Sequence, residues 1–279
     1  TMTAAVGLKA DPQGVSMSET ILTEIDNGVG IITLNRADRH NAFDDALIQD
    51  LSNALVRMDT DADVRVVVLS STGKSFCAGA DLNWMKRAAG YSAEETQRDA
   101  LGLAGMLRML NDMKKPTVAR VQGPAYGGGV GLVAACDIAI AAFDAQFALT
   151  EVRLGIIPAV ISPYVIGAIG ERKARRYMLT AERFSAAEAY RIGLVHEIVP
   201  GEAELDEAVG EIVDALLANG PVALGECKSL IKAVANRPVT PDVMIDTAQR
   251  IARVRAPAEG KEGMAAFLEK RKPSWIQKQ

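Results

Sequence analysis

Two glycine-rich segments each lie between a predicted strand and a predicted helix. They are SFCAGADL at 75–82 and QGPAYGGGVGL at 122–132. Small residues leave backbone N–H groups open to a ligand atom, and N–H groups at a helix N-terminus stabilise a developing negative charge. The five glycines between 123 and 131 exceed what one turn needs. The pair therefore predicts an oxyanion site, while ordinary strand–helix connections remain the alternative for either segment alone.

A second reading of the later segment is dinucleotide binding. The run from Gly129 to Ala134 matches GxGxxA, follows a predicted strand, and has Glu151 20 residues beyond Gly131. This pattern would indicate an NAD-dependent dehydrogenase. Against it, the residues GPAY separate the strand from these glycines, and the segment at 75–82 is left without a role. We keep the dehydrogenase as a less favoured alternative.

The composition argues against several other kinds of site. Only two histidines, His40 and His196, are present, so a histidine triad or a multi-histidine metal site is poorly supplied, and we expect no metal. Cys77, Cys136 and Cys227 are far apart and odd in number, which fits a reducing cytoplasm. A net charge of −4 does not favour nucleic-acid or anionic-membrane binding. The apolar runs are too short to predict a transmembrane helix.

The elements that position these segments alternate between strand and helix. Asn27-Gly28 predicts a tight turn between two strands. Apolar residues at helical spacing predict helices over 44–58 and 93–113, and short apolar runs predict buried strands over 64–69, 117–121 and 137–141. This alternation indicates an α/β fold. Beyond Pro200 only helical patterns follow, over 204–217, 223–235, 241–253 and 258–270.

Three regions follow from this reading. Residues 1–18 are small and polar and are expected to form a flexible tail, with Met17 a plausible native start and no signal-peptide pattern. Residues 19–200 form the predicted α/β core. Residues 201–279 form a helical region whose Ala-, Val-, Ile- and Leu-rich helices are expected to cover other surfaces, including those of other subunits.

Several segments together resemble the crotonase (enoyl-CoA hydratase/isomerase) superfamily. They are LNRADRHNAF at 34–43, FCAGADL at 76–82, KKPTVARVQGPAYGGG at 114–129, CDIAIAAFDAQFALTEVRLGIIP at 136–158 and GMAAFLEKRKPSW at 263–275. The resemblance extends from about residue 20 to the C-terminus. It implies a crotonase-type spiral of ββα units with a C-terminal helical trimerisation region, assembled as a homotrimer or homohexamer. Coenzyme A is then part of the substrate, and no separate cofactor is expected.

The resemblance also assigns catalytic positions. The backbone N–H groups of Ala80 and Gly128 match the oxyanion hole, and Glu151 matches a catalytic glutamate that moves a proton or orients water. Gly131 stands where the usual hydratases carry a second glutamate. A single glutamate also suits a Δ3,Δ2-enoyl-CoA isomerase, which is kept as the alternative activity. A non-catalytic protein of the same fold is less favoured because Glu151 is retained.

The segments GADLNWM at 79–85 and TEVRLGIIPAVISPYVIGAIG at 150–170 resemble a narrower subgroup. These are bacterial hydratases of 3-methylglutaconyl-CoA and isohexenylglutaconyl-CoA, in leucine and acyclic terpene breakdown, which also lack the first glutamate. Their substrates carry a C3 branch and a second carboxylate. The cations considered for that carboxylate are Arg153, Lys86 and Arg87. A carboxylate restored at Gly131 is expected to raise activity on unbranched crotonyl-CoA.

Further contacts are implied for the rest of the substrate. The backbone of Ala78 is expected near the adenine or pantetheine of CoA. Trp84 is a candidate for the acyl pocket, with packing as its alternative, and Asp81 is expected to cap a helix. The residues assigned to CoA binding are Arg39, Phe267 and Lys270.

Overall fold

The computed structural model describes residues 16–17 and 20–276. Most of the predicted N-terminal tail lies outside these residues. Ser16–Met17 form the short strand β1, which pairs antiparallel with β2.

A seven-stranded mixed sheet forms the centre of the protein. Its spatial order is β1-β2-β3-β4-β5-β7-β10, antiparallel up to β3 and parallel from β3 onward. The predicted hairpin is confirmed, because Asn27 and Gly28 both adopt positive φ, at 48° and 87°. The strands are β2 (Ile21–Asp26), β3 (Val29–Leu34), β4 (Val66–Ser71), β5 (Thr117–Val121), β7 (Ile138–Ala142) and β10 (Glu197–Val199).

The parallel strands are buried on both faces. Alternate residues belong to different cores, since side chains along a strand point to opposite faces. In β3, Ile32 and Leu34 join the larger core under the helices of the first two-thirds of the chain, while Val29 and Ile31 join a smaller core on the other face. The apolar runs that predicted strands therefore reflect two-sided burial.

The helices predicted over 44–58, 93–113 and beyond residue 200 begin and end within about two residues of the predicted positions, whereas α5 and α6 were not predicted. Asp44 caps α1 by accepting a hydrogen bond from the Leu47 N–H, and Ser92 and Glu95 form a capping box at the start of α3. The helices are α1 (Asp45–Thr60), α2 (Leu82–Ala88), α3 (Ala93–Asp112), α4 (Gly128–Ala135), α5 (Ser162–Thr180), α6 (Ala186–Ile192), α7 (Glu202–Leu217), α8 (Pro221–Val234), α9 (Pro241–Arg255) and α10 (Ala258–Leu268).

A second, three-stranded sheet lies beside α4. It comprises β6 (Ala125–Tyr126), β8 (Gln146–Ala148) and β9 (Phe184–Ser185), in the order β6-β8-β9. These strands are two or three residues long, too short to produce a periodic pattern in the sequence. They were not predicted, yet the pairing of β6 with β8 brings the second glycine segment close to the chain that leads into Glu151.

The four C-terminal helices differ in their packing. Helix α7 buries Leu205, Ala208, Val209 and Val213 in the smaller core of the sheet. By contrast, α8 has no buried residue, and α9 and α10 bury one each among the described residues. No single described helix is long and apolar enough to cross a membrane. Taken together, α7 and α8 have the length and apolar composition of a membrane-spanning segment, but they are bent by 102° relative to each other.

Candidate active site

The fold brings the two glycine-rich segments into direct contact. The Cys77 N–H donates to the Pro124 carbonyl at 3.2 Å, and the Tyr126 N–H donates to the Cys77 carbonyl at 2.9 Å. Cys77 and Ala125 form a parallel bridge between the segments. Gly79 allows this approach, because a Cβ there would lie 3.0 Å from the Tyr126 carbonyl oxygen. The two predicted turns are therefore one structural unit.

Phe43 fixes the position of one turn relative to the other. Its N–H donates to the Gly79 carbonyl at 2.7 Å, and its carbonyl accepts from the Asp81 N–H at 2.8 Å, so its backbone holds both neighbours of Ala80. Its ring lies against α4, where a Cβ on Gly128 would be 2.7 Å from Cε2. Phe43 lay in a segment quoted for the resemblance but was given no role, because local sequence carries no sign of these contacts.

Two backbone donors at this unit remain free. Neither the Ala80 N–H nor the Gly128 N–H has a hydrogen-bond acceptor within the described residues. Gly128 is the first residue of α4, where helix geometry leaves the N–H groups without partners inside the helix. Free amides at a helix N-terminus are suited to an oxygen that gains negative charge. This arrangement supports the predicted pairing of Ala80 with Gly128, which stays a prediction about the bound substrate.

Asp81 has a structural task beside this pair. It caps α2 by accepting hydrogen bonds from the Asn83 and Trp84 N–H groups at 2.8 and 3.1 Å. Burial works against its ionisation, but these N–H groups together with the Arg36 and Arg39 guanidinium groups outweigh it and lower the pKa of Asp81. The capping expected from the sequence is confirmed.

Glu151 lies on the other side of the second turn. It opens a short 3-10 helix (Glu151–Leu154) after β8. Its Oε1 is 3.1 Å from the position that a Cβ on Gly127 would take. Its Oε2 is buried and has no hydrogen-bond partner. Burial raises the pKa of Glu151, so a carboxyl group with elevated proton affinity borders the free donors, as an acid/base group requires.

Gly131 is buried one helical turn after Gly127 and supplies no side chain. The Gly129–Ala134 run lies wholly inside α4 rather than at the turn between a strand and a helix. In a dinucleotide-binding fold those glycines form that turn. The dehydrogenase interpretation of this motif is therefore wrong. Within residues 16–17 and 20–276, no three His, Cys, Asp or Glu side chains are grouped so that they could hold a metal ion.

The residues predicted to contact the substrate occupy different environments. Trp84 is 8% exposed within the larger core, and its indole Nε1 donates to Asp99 at 3.2 Å, an environment that favours the packing role. Ala78 is half-buried, and its N–H donates to the His40 carbonyl at 2.9 Å. The His40 backbone therefore helps to hold the first glycine segment.

The candidate cations near the two turns also differ. Arg87 is ion-paired with Asp45 at 2.8 Å, and Arg39 lies 3.5 Å from Asp81 and 3.7 Å from Asp38. Arg153 and Lys86 are exposed, and neither side chain has a partner among the residues described. Two of the four cations are thus free to meet an anionic group.

The residues predicted to bind CoA at the C-terminus are exposed. Phe267 is 83% exposed at the end of α10, and Lys270 follows it with a left-handed φ of 55°. No described residue forms a hydrogen bond or an ion pair with either side chain. Their assignment to CoA stays a prediction.

Comparison with known proteins identifies the kind of enzyme that shares these features. The profile of a family described as "Enoyl-CoA hydratase/isomerase" matches residues 24–278. The "Crotonyl-CoA hydratase" of Syntrophomonas wolfei is 35% identical over 265 residues, which cover 93% of this chain and 99% of that protein.

Solved structures agree with the profile. An enoyl-CoA hydratase from Shewanella pealeana is 43% identical, with a TM-score of 0.89, covering 92% of this chain and 96% of that one. AtuE of Pseudomonas aeruginosa is 39% identical, with a TM-score of 0.89, and the match covers 93% of this chain and 100% of that one. The α/β fold of the crotonase type predicted from the sequence is confirmed.

Proposed function

Since this chain belongs to the enoyl-CoA hydratase/isomerase family and is an enzyme of that class, we propose that it hydrates a 2-enoyl-CoA branched at C3, of the 3-methylglutaconyl-CoA type. The observation that carries the proposal is Glu151, a half-buried side chain with a buried, unpartnered Oε2 that meets no second carboxylate from α4. Gly131, the position that would supply one, has no side chain. A C3 branch stabilises positive charge at that carbon as water attacks, which reduces the need for a second carboxylate.

The proposed chemistry uses the groups described above. The thioester oxygen accepts hydrogen bonds from the Ala80 and Gly128 N–H groups. Each donor stabilises the enolate-like transition state by about 3 kcal/mol. Glu151 takes one proton from water as the water oxygen bonds to C3. The same carboxyl group then returns a proton to C2. The sum is addition of one water across the double bond.

A second carboxylate on the acyl group needs a cation. Arg153 lies two residues after Glu151 on the same 3-10 helix, and its guanidinium group has no acidic partner among the described residues. Guanidinium groups bind carboxylates in a bidentate manner. We therefore assign Arg153 as the first candidate and Lys86 as the second.

A Δ3,Δ2-isomerase is the second candidate activity. The same observation supports it, because one carboxyl group that moves a proton between C4 and C2 needs no water and no second carboxylate. The two activities differ in their products, since hydration adds the mass of one water and isomerisation adds none.

A panel of three thioesters tests the proposed function. The enzyme is incubated with crotonyl-CoA, 3-hexenoyl-CoA and 3-methylglutaconyl-CoA. Hydrated products are identified by mass, and the conjugated 2-enoyl thioester that isomerisation forms is identified by its ultraviolet absorbance and its chromatographic retention. We expect hydration of 3-methylglutaconyl-CoA to have the highest kcat/KM. Arg153→Gln should raise KM for this substrate about tenfold and leave crotonyl-CoA unaffected. Arg87→Gln is the matched control, because Asp45 already pairs with Arg87. Turnover of 3-hexenoyl-CoA alone would establish the isomerase instead.

We also propose that the protein is a homotrimer or a pair of trimers. Helices α8 to α10 bury few residues in one protomer, whereas Val222, Ile231, Met244, Ile245 and Ile251 on α8 and α9 are more than half exposed. Exposed apolar surface of this extent favours association. Light scattering should give the mass of three or six chains at micromolar concentration, and a stable monomer would contradict the proposal.

A further inference from the structure

The side chain of Ile161 occupies the place toward which a side chain at position 131 would project. A Cβ built on Gly131 would lie 2.3 Å from Ile161 Cγ2 and 2.9 Å from Ile161 Cβ. The next neighbour, Leu107 Cδ1, is 3.7 Å away, an ordinary van der Waals distance. Ile161 is 3% exposed. Glycine at 131 and isoleucine at 161 therefore fit each other, and a larger side chain at 131 would require a smaller one at 161.

This place lies one turn along α4 from the glycine that Glu151 contacts. The Gly131 N–H donates to the Gly127 carbonyl at 3.3 Å, so the two positions are one turn apart. Gly127 is the N-cap of α4, and a Cβ there would face Glu151 Oε1 at 3.1 Å. The carboxyl group therefore borders the start of the helix, and Ile161 fills the space at position 131, one turn further on, with hydrocarbon.

Ile161 is held firmly where it is. It precedes α5, and its carbonyl accepts hydrogen bonds from Tyr164 and Val165 at 3.1 Å each. The chain between Glu151 and Ile161 is a single connection, which places a carboxylate against the first turn of α4 and an aliphatic group against the next. A glutamate at 131 alone would collide with Ile161, so we expect the gain in activity on crotonyl-CoA only when residue 161 is also made smaller.

We propose that Ile161 is a specificity-determining residue that gives the pocket beside Glu151 an apolar wall. This wall selects acyl groups with an alkyl-type branch at C3 over unbranched ones. The inference rests on the proposed function for the identity of the branched substrate. The steric pairing with Gly131 is independent of that identity.

A series of variants at the two positions tests the pairing by thermal unfolding. Gly131→Ala should lower the Tm by several degrees, because inserting a methyl group into a packed core forces a rearrangement. Ile161→Val in the same chain keeps Cγ2 and should not relieve the loss. Ile161→Gly removes both clashing atoms. In a double-mutant cycle, the Tm of the variant that combines Ile161→Gly with Gly131→Ala should therefore be higher than the sum of the two single shifts predicts. Additive shifts in that cycle would overturn the pairing.

Selectivity tests the functional part. The measured quantity is the ratio of kcat/KM for 3-methylglutaconyl-CoA to that for crotonyl-CoA. Ile161→Ala should lower this ratio about tenfold, the effect of lost apolar contact in a specificity pocket. Gly131→Glu combined with Ile161→Gly should lower it further and raise crotonyl-CoA hydration about tenfold or more over wild type. Leu107→Ala, which removes the other buried neighbour of position 131, should leave the ratio unchanged.

The outcomes separate this inference from the proposed function. A wild-type enzyme that prefers crotonyl-CoA contradicts the proposed function, whatever the variants do. A ratio that moves in Ile161→Ala but not in Leu107→Ala retains Ile161 as a determinant of selectivity. A ratio that stays the same in folded Ile161→Ala, or moves equally in both variants, overturns the inference.

Discussion

Glu151→Gln is expected to lower kcat for the best substrate by about a hundredfold or more, the range for a lost general acid/base. Glutamine preserves the size of the side chain and its capacity for hydrogen bonding but cannot exchange the proton. The carboxyl group it replaces has a buried, unpartnered Oε2 and a pKa that burial raises. Binding of the CoA ester should be nearly unchanged, because the residues predicted to contact CoA are other than Glu151. Stopped-flow turnover and a separate binding titration measure the two quantities.

The same variant has a stability signature that a carboxylate held by ion pairs or hydrogen bonds would not show. Burial raises the pKa of Glu151, so the folded state holds its proton to higher pH than the unfolded state does. Wild-type stability therefore falls as the pH rises from below the unfolded-state pKa through the folded-state pKa. Glu151→Gln should unfold at a higher temperature than wild type at pH 7, and this advantage should vanish in acid, where Glu151 is protonated in both states.

Two results would contradict the role of Glu151. Turnover near the wild-type rate in a folded Glu151→Gln protein would move the acid/base function elsewhere, for instance to a carboxylate of the substrate. A lower Tm for the variant at pH 7 would show that the carboxylate is stabilised by partners, contrary to its buried and unpaired environment.

Gly128→Pro is expected to lower kcat at least about a hundredfold, the loss that follows removal of one oxyanion donor. Position 128 is the first residue of α4, where the φ of proline fits the helix and the N–H that is lost has no partner inside it. Turnover is measured on the best substrate of the panel, and circular dichroism confirms the fold. Retained turnover in the folded variant would contradict the assignment of the Gly128 N–H.

Gly128→Ala is the matched control, because proline also adds a Cβ. That atom would lie 2.7 Å from the Phe43 ring, and alanine introduces the same crowding while keeping the N–H. The difference in kcat between the two variants therefore measures the donor itself. We expect alanine to cost stability and to retain more activity than proline. Equal losses would assign the effect to displacement of Phe43 rather than to the hydrogen bond.

Local sequence patterns are enough to predict most of the longer strands and helices and the two glycine-rich turns. Two-sided burial produced apolar strands such as β4 and β5, and helix caps such as Asp44 and Ser92 are local signals that act within a few residues. The glycine content of 122–132 indicated exposed backbone donors, and the order of the matched segments predicted the fold. The resemblance of these segments to the crotonase superfamily predicted the roles of Ala80, Gly128 and Glu151.

The contacts between these residues are visible only in the tertiary structure, because the residues are far apart in the sequence. Phe43 couples the two turns across about 40 and 85 residues of sequence, counted to Ala80 and Gly128, and strands of two or three residues deliver Glu151 to Gly127. The pairing of Gly131 with Ile161 likewise joins two helices that pack side by side. Such contacts depend on the shape of the packed core, in which a single methyl group decides what fits. The sequence shows that position 131 has no side chain, whereas the fold shows that Ile161 occupies the space there.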